Sequence, residues 1–206
     1  MYARSITIMG DPQKIDSGIA FVRDEVQPLI TTMDGCIGLS MLVNRASGHC
    51  IVTSAWQTEE SMLASNAGLL DVRARGGEIM GGDPQVEEWE VGVMHRDHMA
   101  PEGSCCRVTW TQLEQGDPDT AMEAYRTHAL PAVEELRGFC SASMLIDRTT
   151  GRACGTVAFE TRADCEATRE QAMAIREVAA SAAGVMVTDV VEFELAIAHL
   201  RLPELV

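Results

Sequence analysis

Gly35-Cys36-Ile37-Gly38-Leu39-Ser40-Met41-Leu42-Val43-Asn44-Arg45 returns 103 positions later as Gly138-Phe139-Cys140-Ser141-Ala142-Ser143-Met144-Leu145-Ile146-Asp147-Arg148. Outward from this stretch the same shift superposes Arg4 on Arg107, Arg23 on Arg126, Pro28 on Pro131 and Gly48 on Gly151. It continues through Thr58 on Thr161, Ala64 on Ala167 and Arg73 on Arg176. Beyond the second helix the shift becomes 104, which places Trp89-Glu90 on Phe193-Glu194 and His95 on His199. A repeat of about a hundred residues is a whole small domain, since solenoid units run to about 20–50 residues.

Each copy reads as strand, helix, strand, strand, helix, strand. In the first, Ala3 to Met9 is β-branched and apolar on alternate positions, and Asp11-Pro12 supplies an N-cap and a first-turn proline. Ile15, Ile19, Val22, Val26, Leu29 and Met33 then line one face of a helix, which Pro28 should kink. Cys36 to Val43 and Cys50 to Trp56 form a hairpin around Asn44-Arg45-Ala46-Ser47-Gly48. In that register Cys36 faces Trp56 and Cys50 faces Leu42. Thr58 caps a helix expected over residues 59–75 and ended by Gly76-Gly77, with Gly81-Gly82 in a flexible connection before a last strand, Val86 to His95.

The second copy repeats the grammar. Its strands are Cys105 to Leu113, Cys140 to Ile146, Arg152 to Glu160 and Val185 to His199, with helices opened by Asp117-Pro118 and by Thr161 and Asp164. The domain reading is therefore a first repeat over residues 1–98, a second over 104–200, and a linker over 99–103. A βαββαβ unit is a ferredoxin-like α+β fold: a four-stranded antiparallel sheet with both helices on one face and the other face bare. The strands are apolar or small on both sides, so each bare face needs a cover. The other copy supplies it, giving an intramolecular dimeric α/β barrel, a single chain with an internal pseudo-dimer.

Composition narrows the function classes. Sixteen basic against 31 acidic residues leave a net charge of −15, which repels nucleic acid and anionic membrane alike. No apolar run has the length of a membrane span and the N-terminus lacks a signal-like segment, so the expectation is a cytoplasmic protein. The seven cysteines contain no CxxC pair and no zinc-finger spacing; they read as small hydrophobes in a reducing compartment, with no metal site. Dinucleotide, Walker, HExxH and GxSxG motifs are absent.

The stretch from Gly35 to Ser65, with its Asn44–Gly48 hairpin and the Trp56-Gln57-Thr58-Glu59-Glu60 junction, resembles the antibiotic biosynthesis monooxygenase family of dimeric α/β barrels. Phe159-Glu160-Thr161-Arg162-Ala163 is the matching junction in the second copy. The resemblance implies the barrel fold and a small apolar or aromatic ligand, with cofactor-independent oxygenation of an aromatic, polyketide-like substrate as the leading activity. A non-catalytic ligand-binding or interaction module is the alternative. Many members carry a histidine where this chain has Ser65 and Thr168, and haem-degrading members carry an asparagine on the first strand, where it has Ser5, Thr7, Thr109 and Thr111. A haem ligand is thus missing from its expected place, so no cofactor is expected and haem binding stands as a third, disfavoured reading.

Candidate site residues follow from residue chemistry. His95 and His128 are the candidate acid/base groups, because imidazole titrates near neutrality. Tyr125 lies three residues before His128 and should share its helix side, facing a pocket. Trp56, Trp89 and Trp110 can stack on a flat ligand, and His199, equivalent to His95, stands at the end of the last strand.

Overall fold

The computed structural model describes Met1–Val206 throughout. The strands are β1 (Tyr2–Met9), β2 (Cys36–Asn44), β3 (His49–Trp56), β4 (Gln85–Arg96), β5 (Cys105–Leu113), β6 (Phe139–Asp147), β7 (Arg152–Phe159) and β8 (Val185–Leu200). Hydrogen-bonded neighbours run β1-β3-β2-β8-β5-β7-β6-β4 and the order closes, an eight-stranded antiparallel barrel of ferredoxin-like βαββαβ copies. No helix is long and apolar enough to cross a membrane.

Two compact units divide the chain. Unit 1 comprises Met1–Trp89 with Glu194–Leu202; unit 2 comprises Glu90–Phe193 with Pro203–Val206. In unit 1, β3 is central, paired with β1 and β2, and β2 takes the second half of β8 as its other neighbour, Leu39 opposite His199 and Val43 opposite Glu194. In unit 2, β7 is central between β5 and β6, and β6 takes the second half of β4, Leu145 opposite Val91 and Ser141 opposite Arg96. Each unit therefore contains half of the last strand of the opposite sequence copy.

The first helical layer of unit 1 is a 3₁₀ turn Pro12–Lys14 running into α1 (Ile15–Phe21), a π turn Val22–Val26 and α2 (Gln27–Ile30). Asp11 caps it, accepting from the Gln13 amide at 2.9 Å, as the Asp-Pro pair requires. Unit 2 repeats the layer as α5 (Pro118–Ala124), a π turn Tyr125–Ala129 and α6 (Leu130–Glu134), capped by Asp117. The Gln27 and Leu130 amides reach back five residues, to the Val22 and Tyr125 carbonyls. The wider turn ahead of Pro28 and Pro131 moves backbone away from each proline ring, so the expected kink takes the form of a π bulge.

The second helical layer is α3 (Glu59–Ala64), a 3₁₀ turn Ala67–Leu69 and α4 (Leu70–Met80) in unit 1, and α7 (Arg162–Ala167) with α8 (Arg169–Ala183) in unit 2. Gly76 and Gly77 do not end their helix as expected. They lie buried inside α4, where a Cβ on Gly77 would meet Pro84 at 2.9 Å; closeness of packing, not flexibility, is what selects glycine there. The stop is Gly81, left-handed at φ 77°, matched by Gly184 at φ 65°. A bulge between Cys36 and Gly38 shifts the hairpin register by one, so Cys50 faces Val43 and not Leu42, while Cys36 does face Trp56. All seven cysteines are free thiols.

Each unit has its own core. In unit 1 it gathers Ile8, Phe21, Leu39, Met41, Trp56 and Met62; in unit 2 Val93, Met122, Leu130, Phe139 and Phe159. Paired arginines tie the elements: Arg23 donates to the Ala196 carbonyl at 3.2 Å and Arg126 to the Gly92 carbonyl at 2.8 Å, where β8 and β4 carry bulges. Arg45 bridges Asp16 and Glu194 at 2.7 Å each, and Arg148 bridges Asp119 and Glu90 at 2.7 and 2.6 Å.

Candidate functional site

Arg4 and Arg107 stand at equivalent positions on β1 and β5, only 1% and 5% exposed. Arg4 is saturated. Its Nε and Nη2 donate to Glu88 at 3.0 and 2.7 Å, its Nη2 to the Met62 carbonyl at 2.8 Å, and its Nη1 to the Ser65 hydroxyl at 2.8 Å. Arg107 makes the corresponding bonds to Glu192, at 3.3 and 2.9 Å, and to the Cys165 carbonyl. The position of Ser65 is taken by Thr168, whose hydroxyl donates to the Asp164 and Cys165 carbonyls at 3.0 Å each, and Arg107 Nη1 is left buried with no partner. The ring of Phe159 lies 5.2 Å from the Arg107 guanidinium carbon.

Arg107 also lines a cavity of about 130 Å³ between the unit 2 sheet and its helices. An engineered cavity of about 150 Å³ accepts a benzene ring, so the space is ring-sized. Its wall is mainly apolar, with Met122, Met144, Phe159 and Ile175, and it includes Tyr125, whose Oη is likewise buried without a partner. Burial raises the Tyr125 pKa, keeping the phenol neutral. Arg176 of α8 also lines the cavity; its pKa is lowered by burial first and by the Arg107 charge second.

The equivalent space in unit 1 is about 60 Å³. Side-chain size explains the contrast. Ile6, Ile8, Val52, Leu69 and Met80 line the unit 1 space where unit 2 has Thr109, Thr111, Gly155, Ala172 and Ala183. Four exchanges run the other way, Val22 to Tyr125, Ser54 to Val157, Val72 to Ile175 and Gly76 to Ala179, and the first of them brings a phenol to the larger space. The arginine of α4 differs too: Arg73 Nη1 donates to Asn66 at 2.6 Å. At the position of Asn66, unit 2 has Arg169, which turns to Glu192 instead, at 2.9 and 2.5 Å. With both Arg169 and Arg107 on it, Glu192 is held down to a pKa of about 2, Arg169 contributing most.

Of the residues nominated from sequence, Tyr125 alone lines this cavity. His128 is exposed on the outside of the same π turn. In a regular helix a three-residue spacing keeps side chains together, and the extra residue of the π turn rotates Tyr125 and His128 apart. His95 is engaged elsewhere: Nε2 lies 2.8 Å from Glu134, Nδ1 bonds Glu204, and the ring stacks on Phe139 at 6.1 Å. His199 is exposed on β8. Trp56 and Trp89 are core residues whose indoles donate to Ser54 at 3.2 Å and Ser5 at 2.8 Å. Trp110 contacts Phe193 edge-on at 6.3 Å, on the strand face opposite Thr109 and Thr111.

Chain order hid one further cluster. The ligand atoms of Cys105, Cys165 and Glu192, from β5, α7 and β8, lie within 4.8 Å of one another. The thiols hydrogen-bond each other, which lowers the Cys105 pKa and raises that of Cys165. Two guanidiniums already occupy Glu192, and their charge opposes a cation there.

No family model matches the chain. Among solved structures, a proposed monooxygenase from Fusobacterium nucleatum subsp. nucleatum is similar at TM-score 0.68 and 12% identity, covering 96% of this chain and 92% of that one. An anthrone oxidase-like protein is similar at TM-score 0.65 and 14% identity, covering 97% and 92%. A ferredoxin fold protein from Listeria monocytogenes 4b F2365, related to antibiotic biosynthesis monooxygenases, reaches 0.51 at 9% identity, covering 95% and 94%. These likenesses show the fold. Two uncharacterized proteins of Mycobacterium tuberculosis (strain ATCC 25618 / H37Rv) are much nearer in sequence: Rv2557 at 50% and Rv2558 at 45% identity, each matching all of this chain and covering 92% and 88% of the relative. Shared identity of that degree along the whole chain makes this protein a member of the family of Rv2557 and Rv2558.

Proposed function

We propose that the chain binds a small, flat, mainly apolar molecule in the unit 2 cavity, and that unit 1 holds a narrower, structural version of the same space. The observation that carries this reading is a ring-sized apolar cavity in one copy only, built by exchanging five large side chains for small or polar ones. Void of this size loses contacts on every wall, so a vacant cavity costs stability that an occupant restores. Titrating the protein with naphthalene derivatives, while following the methyl resonances of Met122 and Met144, tests it. Shifts confined to those methyls support the reading; shifts elsewhere, or none, overturn it.

A second reading, oxygenation of the bound molecule without a cofactor, is favoured by the mainly apolar wall that Tyr125 shares and by the names of the structural neighbours. In that chemistry a ring methylene loses a proton, the resulting carbanion reduces O₂, and CH₂ plus O₂ becomes C=O plus H₂O. Exclusion of water and a neutral phenol donor to the substrate oxygen are what the cavity would supply. Oxygen uptake with anthrones and hydroquinones tests it, Tyr125→Phe being expected to lower kcat about 10-fold or more. Tight binding without uptake would identify a ligand-binding module.

A further inference from the structure

We infer that the ligand of the unit 2 cavity carries an organic oxyanion, held by Arg107 Nη1 together with Arg176. The inference rests on the cavity being a binding site and adds the chemical class of what enters it. Arg107 lines the cavity, and its Nη1 is buried with no hydrogen-bond partner in the protein. A buried unsatisfied donor of this kind is destabilising and persists where it has a task.

The internal repeat acts as a control. In unit 1 Arg4 Nη1 is tied off by Ser65 at 2.8 Å, and Arg73 Nη1 donates to Asn66 at 2.6 Å while its Nη2 is buried without a partner. Unit 2 changes both ties. Thr168 turns its hydroxyl to the helix backbone, and Arg169 replaces the amide acceptor with a third guanidinium that competes for Glu192. Glu192 takes Arg107 and Arg169, Arg169 also lies 3.8 Å from Glu166, and Arg176 makes no ion pair, Glu177 being the carboxylate that acts on it. Arg107 and Arg176 are thus two cations on the cavity wall of a protein whose net charge is −15. A guanidinium pair at low dielectric selects a singly charged oxygen anion on an apolar body, and a carboxylate is the form ionised at neutral pH. Tyr125 Oη offers that body one further polar contact.

Benzoate and 1-naphthoate, each against its neutral isostere benzamide or 1-naphthamide, distinguish the anion from the ring. Calorimetric titration at pH 7 is expected to give at least 10-fold tighter binding of the carboxylates. Arg176→Met should abolish that preference while leaving amide affinity within 2-fold, and it breaks no bond of the fold. Arg107→Met removes bonds to Glu192 and to the Cys165 carbonyl, so the second variant is Thr168→Ser combined with Arg169→Asn, which copies the residues of unit 1; it too should erase the preference. Equal affinity for carboxylates and amides overturns the inference and leaves the apolar cavity reading standing. A carboxylate preference that survives both variants overturns it as well, placing the anion elsewhere. Failure of all four compounds to bind overturns the cavity reading together with it.

Discussion

Arg4 and Arg107 show how one residue type at one position serves two ends. Arg4 is a structural bolt: four hydrogen bonds join β1, α3 and β4. Replacing it by methionine keeps the stem volume but strands Glu88, so Arg4→Met is expected to lower unfolding free energy by about 3 kcal/mol, read from urea melts. Glu192 makes the second residue-scale prediction. Its folded pKa, about 2, lies below that of an unfolded glutamate, so its stabilisation is complete above about pH 5 and is lost as pH falls toward 2. Arg169→Gln should flatten that acid limb of the stability profile, because Arg169 is the largest cause of the depression; an unchanged limb between pH 5 and 2 would count against it. In the sequence these arginines were visible as repeat positions, but nothing in the chain order showed that one would be satisfied and the other not. Satisfaction turned on Ser65 against Thr168: both hydroxyls donate to the helix backbone, at Met62 and Cys165, yet only Ser65 also accepts from its arginine.

Among the elements, the hairpin halves were legible because alternation, turn residues and caps are local properties. Strand β5 and the two Asp-Pro helix starts fall where the pattern placed them. What local pattern could not give was the bulge at Gly38, with φ 142°, where a Cβ would come within 2.2 Å of the His199 carbonyl. Contact with a strand 160 residues away decides that glycine. Gly38→Ala is expected to destabilise by about 2 kcal/mol or more, measured by urea unfolding, and to loosen amide protection in β2 and β8 first. The π turns were equally hidden, since proline announced a kink without saying how the backbone would absorb it. That ambiguity is why Tyr125 and His128 part company.

At the level of the whole molecule, two matters are decided by which residues meet. One is volume. Thr109→Ile, copying Ile6 of unit 1, is expected to fill part of the unit 2 cavity, raise stability by about 1 kcal/mol and abolish ligand binding, checked by thermal melts and calorimetry on the same preparation. The other is strand ownership. Unit 1 includes Glu194–Leu202, so deleting residues 194–206 removes the partner of β2 and the Glu194 end of the Arg45 bridge. The shortened chain is expected to expose β2 as an edge and aggregate, which light scattering would detect.

The sequence by itself determined the repeat, the βαββαβ order and the arginine positions, because periodicity, caps and turn chemistry act between residues close along the chain. Only the tertiary structure decided that the space between sheet and helices is about 60 Å³ in one copy and about 130 Å³ in the other, and that one nitrogen of the Arg107 guanidinium goes without a partner. Cavity size and hydrogen-bond satisfaction are sums over side chains brought together from distant segments, and no local pattern of residues contains such a sum.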